Sequence, residues 1–194
     1  MVKNASRFKK NIASGVTEIT YRLIQAAGLY IQEIFRIFAE ISIKTGNIPE
    51  KLKISQIYFI PKETEWQYNL NNVKPITLLE TLRKCTTKIL TNRLTQVFTK
   101  RKILKGPNFT GLSGNSTEEP VHIINTLMED AKDNNKELWL VFQDMKKAFD
   151  SVSLQALDLA MRRLKMPERI INFILNLFEN RQSKIIMHWG TTET

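Results

Sequence analysis

Glu137-Leu-Trp-Leu-Val-Phe-Gln-Asp144-Met-Lys-Lys-Ala-Phe149-Asp150-Ser-Val152 is the stretch on which the reading of this chain turns. An apolar, strand-like run over 138–142 delivers one carboxylate, Asp144, to its end. Two lysines, an aromatic and a second Asp follow before a helix-like segment begins. A carboxylate at a strand end beside positive charge is a place to hold a metal ion and a phosphate. Mg²⁺ prefers hard oxygen ligands and commonly takes one or two carboxylates plus substrate phosphates. Phosphoryl-transfer sites use such ions to neutralise charge and align the reacting oxygens. The backbone carbonyl of Met145 is placed to share that ion. Asp150, six residues on across a turn, is better read as a cap or a salt-bridge partner. A lone strand-end Asp is also a common turn cap, and that reading stands beside the metal one.

Working outward, the apolar spacing over 15–44 (Ile19, Leu23, Ala26, Ala27, Tyr30, Ile31, Ile34, Ile37, Phe38, Ile41) predicts a long amphipathic helix with a break near Gly28. Gly46 and Pro49 stop it. Ile54 to Ile60 is rich in β-formers and ends at Pro61. The polar stretch 63–73 reads as a hairpin or loop, and 76–100 returns to helical periodicity. Gly106-Pro107-Asn108 breaks the chain. Ser116 and Glu119 have the spacing of a capping box, opening a helix through about Asp133. After the central stretch, 153–164 and 167–180 predict two helices, the second with Pro167 in its first turn. A last strand is expected over 183–189. The order suggests an α+β fold.

The chain has 194 residues, 42% hydrophobic and 25% charged, which suits a globular protein of one to one and a half domains. Its formal net charge of +10 favours a polyanionic partner, with nucleic acid and an anionic membrane surface equally suited by charge alone. The basic residues are spread along the chain, with modest clusters at 3–10 and 100–105. A single cysteine, Cys85, excludes an intrachain disulfide and a cysteine-rich zinc site; in a helix-like run it reads as a packed small residue. His122 and His188 stand too far apart in sequence to suggest a metal pair. The N-terminus lacks the pattern of a signal peptide, and no run is long and apolar enough to span a bilayer, so the chain reads as soluble and intracellular, with nucleus and cytoplasm undistinguished. A P-loop and a kinase signature are both absent from the sequence, which disfavours an unrelated phosphotransferase.

Three motifs carry a resemblance. The segment Phe142-Gln-Asp144-Met-Lys-Lys147-Ala-Phe149-Asp150-Ser-Val152 resembles the first catalytic motif of reverse transcriptases, particularly the non-LTR retrotransposon pattern Asp-x-x-Lys-Ala-Phe-Asp-x-Val. Ile60-Pro61-Lys62, followed by Lys74-Pro75-Ile76-Thr77-Leu78-Leu79, resembles the fingers segment, usually Ile-Pro-Lys and Arg-Pro-Ile. Asn108-Phe-Thr-Gly111-Leu-Ser-Gly114-Asn115-Ser116-Thr117 resembles the glycine-rich segment before the palm. Together they cover most of the chain from about Ile48.

The resemblance implies a right-hand polymerase. An N-terminal helical region over 1–46 leads into the fingers, the fingers and their connection to the palm occupy 47–133, and 134–194 begins an incomplete palm. Asp144 is then a catalytic Mg²⁺ ligand, with the Met145 carbonyl beside it. Phe149 is the aromatic that floors the sugar pocket and leaves no room for a ribose 2′-hydroxyl; a core aromatic is its ordinary alternative. Lys62 and Lys74 are the cations over the triphosphate of the incoming nucleotide. At position 74 lysine replaces the usual arginine and loses the bidentate fork. Gly111 and Gly114 permit close approach of a strand, though turn geometry alone explains glycine there. Lys100, Arg101, Lys102 and Lys105 are candidate phosphate contacts, or else a solvated helix end. The partners implied for the parent are an RNA template, a DNA primer and deoxynucleoside triphosphates. The family's aromatic-x-Asp-Asp and its Gln-Gly segment occur nowhere in these 194 residues. The chain is therefore expected to stop mid-palm, to bind Mg²⁺ weakly if at all, and not to polymerise by itself. A retained nucleic-acid-binding module without catalysis is the rival reading.

Overall fold

A computed structural model describes residues 12–62, 69–104, 109, 117–187 and 190–192. The chain divides into two compact units, Met1–Lys88 with Leu154–Thr194, and Ile89–Ser153.

The first unit opens on two helices. α1 (Tyr21–Ala26) starts at Thr20, whose hydroxyl accepts the Leu23 backbone N–H at 3.2 Å. Ala27 and Gly28 are both extended, which ends α1 and lets α2 (Leu29–Thr45) restart at once. The break expected near Gly28 is therefore present. Residues 15–20, expected to be helical, form a turn instead, because Glu18 takes a positive φ of 56° and its N–H returns to the Gly15 carbonyl. α2 carries Glu33, Arg36, Glu40 and Lys44 as a ladder of ion pairs along one flank. Its Ala39 and Ser42 are buried on the side that packs on α6 (Glu168–Asn176). Gly46 closes α2 in the left-handed region at φ 70°, and a Cβ there would lie 3.1 Å from Asn172 Cβ. Glycine is thus required twice, by conformation and by the approach of α6.

After a 3₁₀ turn over Glu50–Leu52, β1 (Ser55–Pro61) pairs antiparallel with β2 (Val73–Leu79). On its other side β1 pairs parallel with β3 (Ser183–Met187), which turns back into the short β4 (Gly190–Thr191). The sheet order is β2-β1-β3-β4. The parallel pairing is pinned at Ser55, fully buried, whose N–H donates to Gln182 O at 2.9 Å and whose hydroxyl meets that of Ser183 at 2.8 Å. Residues 76–79, expected to start a helix, belong to β2 instead. Helix α3 (Thr81–Lys100) begins only after Glu80. The last strand falls where its composition predicts it, with residues 188–189 outside the described set. α5 (Leu154–Arg163) and α6 complete the unit; Arg162 joins them by bonding both Asp158 and Glu168. Pro167 sits just before α6 rather than inside it. The core gathers Tyr21, Ile24, Ile48, Leu52, Val73, Met161, Ile171, Phe173 and Leu177.

The second unit contains the later turns of α3, helix α4 (Glu118–Asp133) and the segment leading to Ser153. Glu118 and Glu119 in its first turn and Lys132 in its last complement the α4 dipole. The capping box rests on Ser116, outside the described residues; Thr117 precedes the helix without a side-chain cap bond. The strand expected over 138–142 does not form: among the described residues it has no ladder partner, and β structure needs one for its N–H and C=O groups. Its side chains face outward, with Trp139 85% and Val141 92% exposed. The overall class is nonetheless mixed α+β: among the described residues there are four strands, all in the first unit, and helices in both units.

Candidate functional site

The β1–β2 hairpin places two of the predicted cations. Ile60 stands opposite Lys74, and Pro61 opposite Val73. The pairing continues one step beyond β1, where the Lys62 N–H donates to Asn72 O at 2.8 Å. Because side chains alternate along a strand, Lys62 lies on the same face as Ile60 and hence as Lys74. The two lysines are diagonal neighbours at the end of the hairpin where the chain crosses from β1 to β2, and both are exposed. Lys62 is further steered by its ammonium, which donates to the Asn71 carbonyl at 3.1 Å. No motif points to Asn71; only the strand character of 73–79 would bring the residues before it opposite Lys62. Two ammonium groups on one face of a rigid ribbon suit a polyphosphate, as point charges rather than forks.

Asp144, Met145 and Phe149 sit together in the second unit, in a segment that passes into a turn. Lys147 adopts a positive φ of 52°, the Ser151 N–H donates to Lys147 O at 3.0 Å, and the Ser151 hydroxyl donates to Ala148 O at 2.9 Å. Asp144 and Asp150 are exposed, Met145 is 66% exposed and Phe149 97%. The core role open to Phe149 is thus not taken up among the described residues. No group of three or more His, Cys, Asp or Glu side chains gathers among the described residues. One exposed carboxylate does not by itself make a Mg²⁺ site, which takes octahedral oxygen donors. The described residues therefore do not supply the complete metal site expected of a two-ion nucleotidyl transfer.

Lys100 ends α3, and Arg101 and Lys102 follow it, all three exposed. Lys102 takes φ 47° and its N–H returns to Thr99 O, so this basic run closes the helix at the end its dipole makes favourable for cations. Lys105, Gly111 and Gly114 lie outside the described residues, as do His188 and the basic cluster at 3–10. Cys85 is packed in α3, and burial pushes its thiol up to about 11, consistent with an inert side chain. Among the described residues, no helix is long and apolar enough to cross a membrane.

Residues 60–192 match the family of reverse transcriptases, described as RNA-dependent DNA polymerases. The chain is similar to a probable RNA-directed DNA polymerase from transposon BS of Drosophila melanogaster, at 30% identity over 69% of the chain and 15% of that protein. It is also similar to the Pol polyprotein from the type-1 retrotransposable element R2 of Popillia japonica, at 28% identity over 76% of the chain and 21% of the relative. The corresponding R2 protein of Nasonia vitripennis is 24% identical over 72% of the chain and 13% of its own length. The chain thus spans about a fifth or less of these relatives.

Proposed function

This chain belongs to the reverse transcriptase (RNA-dependent DNA polymerase) family, of the non-LTR retrotransposon type, and on that footing we propose that it carries the fingers and the opening of the palm of such an enzyme. The observation that carries the reading is the family match over 60–192, which contains both the Lys62/Lys74 hairpin and the Asp144–Val152 motif. The parent reaction is RNA-templated DNA synthesis, in which a primer 3′-hydroxyl attacks the α-phosphate of a deoxynucleoside triphosphate. Within it Lys62 and Lys74 hold the triphosphate by charge. Asp144, with the Met145 carbonyl, supplies one part of a Mg²⁺ site. Phe149 packs against the sugar and excludes a 2′-hydroxyl by contact. Lys100, Arg101, Lys102 and Lys105, with the Gly111–Gly114 segment, contact the nucleic-acid backbone. Division into fingers over 47–133 and palm from 134 follows from the same motif order.

The 194 residues contain no aromatic-x-Asp-Asp, so the second set of metal-binding carboxylates is not in this sequence, and 1–194 alone does not extend a primer. The exposed Asp144, with no cluster of acids around it among the described residues, also supports a second reading: a nucleic-acid-binding module without chemistry. Primer extension decides between them. Purified 1–194 yields no product on a primed RNA template with Mg²⁺; robust synthesis overturns the claim of inactivity. In a longer product of the same reading frame containing Gln-Gly and aromatic-x-Asp-Asp, Asp144→Ala abolishes synthesis. Synthesis unaffected by that change removes the metal role.

A further inference from the structure

Arg83, in the first turn of α3, is 4% exposed. One of its terminal nitrogens, Nη2, donates to the Leu177 carbonyl at 2.9 Å, just past the end of α6. The other, Nη1, is buried with no hydrogen-bond partner. A second guanidinium belongs to the same stretch of chain: Arg181, exposed, lies 5.9 Å from the ring of Phe178, the residue after Leu177. Among the described residues, no carboxylate forms a salt bridge with either arginine. Burial, and then the charge of Arg181, both push the Arg83 guanidinium down. If Arg83 served only to cap α6, one donor would suffice. The second donor and the second cation remain without a counter-charge, in a region where unpaired buried polar groups are costly.

We propose that this junction between α3 and α6 is an oxyanion site, in which Arg83 is the inner donor and Arg181 the outer one for a phosphate group, free or esterified in a nucleic acid. Tetrahedral phosphate presents oxygens to the free Nη1 of Arg83 and to the Arg181 fork, and neutralises the mutual repulsion of the two cations. Arg181, at the surface, meets the anion first. The inference stands apart from the polymerase reading, since it uses neither Asp144 nor a metal.

The test uses the full 194-residue chain at constant ionic strength. Inorganic phosphate and pyrophosphate are titrated by thermal unfolding, and a short oligonucleotide without terminal phosphates by fluorescence anisotropy. Arg181→Ala weakens binding of the preferred probe about tenfold, the scale of one charge-assisted hydrogen bond removed. Lys51→Ala, which removes the same charge from an exposed position, changes it by no more than about twofold. Stabilisation by free phosphate identifies a phosphate or nucleotide ligand; an Arg181 effect on the oligonucleotide alone identifies a phosphodiester. Equal effects of Arg181→Ala and Lys51→Ala on both probes overturn the proposal, as does a wild-type chain that responds to neither. Arg83→Lys keeps the charge and loses the fork, and where it folds it follows Arg181→Ala.

Discussion

Lys62 and Lys74 occupy diagonal positions on one face of the β1–β2 hairpin, although eleven residues of chain, six of them outside the described set, separate them. A strand ladder of this kind holds such neighbours about 7–8 Å apart between Cα atoms, within reach of adjacent phosphates for side chains as long as lysine. Both being exposed, each contributes modestly. Lys62→Ala and Lys74→Ala each weaken triphosphate binding about two- to fivefold, the range of exposed ion pairs. Lys74→Arg strengthens it by restoring a fork. Titration of a deoxynucleoside triphosphate into the purified variants checks both directions, and a Lys74→Arg chain that binds no better removes the geometric argument.

The basic end of α3 is expected to contribute charge without sequence preference. Neutralising Lys100, Arg101 or Lys102 singly lowers the slope of log affinity against log salt by about one unit for each phosphate that the side chain had neutralised. Anisotropy measured with two unrelated oligonucleotides reads this, and an unchanged slope assigns the three side chains to helix capping alone.

Glu80 anchors the N-terminal segment to the start of α3. It is 1% exposed, and its carboxylate accepts the Thr17 N–H at 3.0 Å and the Thr17 hydroxyl at 2.5 Å. A Cβ added at Gly15 would lie 2.8 Å from the Glu80 backbone nitrogen, so only glycine fits opposite it. Glu80→Ala, which leaves the Thr17 donors unpaired, costs about 1–3 kcal/mol of stability, and Gly15→Ala a similar amount by overpacking. Urea unfolding measures both. In the same assay Phe173→Ala, at a fully buried position, costs about 3–5 kcal/mol, whereas Asp144→Ala stays within about 0.5 kcal/mol of wild type.

Alkaline pH separates Cys85 from its surroundings. Burial raises the folded thiol to about 11, so between the unfolded value of about 8.5 and that limit the unfolded chain releases its proton first. Stability from this group is complete below the unfolded value and is lost as pH rises toward 11. Burial shifts Lys84 down, which titrates in the opposite sense, so the reading is the difference between wild type and Cys85→Ala. Replacing Cys85 by Ala is expected to shrink the fall in stability between about pH 8.5 and 11. A fall of the same size in both proteins refutes the assignment, as does rapid alkylation of the native thiol at about pH 8.

Much of the first unit is legible in the sequence because its punctuation is local. Gly46 and Pro61 each act through their own backbone, and the helix stop and the strand end lie where those residues put them; the helix break lies at the extended Ala27 and Gly28. The stretch 73–79 misleads because its apolar residues at 76, 78 and 79 fit a helix as readily as a strand; pairing with β1 decides the matter, and pairing is not written in the segment itself. The run over 138–142 shows the converse. Its composition is that of a strand, and among the described residues no neighbour completes it. Motif identity is the more legible part of the site: the family match contains all three motif segments. Their arrangement in space depends on contacts that spacing along a chain does not encode.

The parallel pairing of β1 with β3 sets a timetable for biosynthesis. Ser55 meets Ser183 across 128 positions of sequence, whereas the partners of the β1–β2 hairpin are near neighbours. At a translation rate of about 5–20 residues per second, β1 waits roughly 6–25 s for its second partner to be made. During that interval the β1 edge that β3 later covers is unpaired and open to whatever lies near the ribosome exit. A message cut short before Ser183 leaves that edge open for the lifetime of the product.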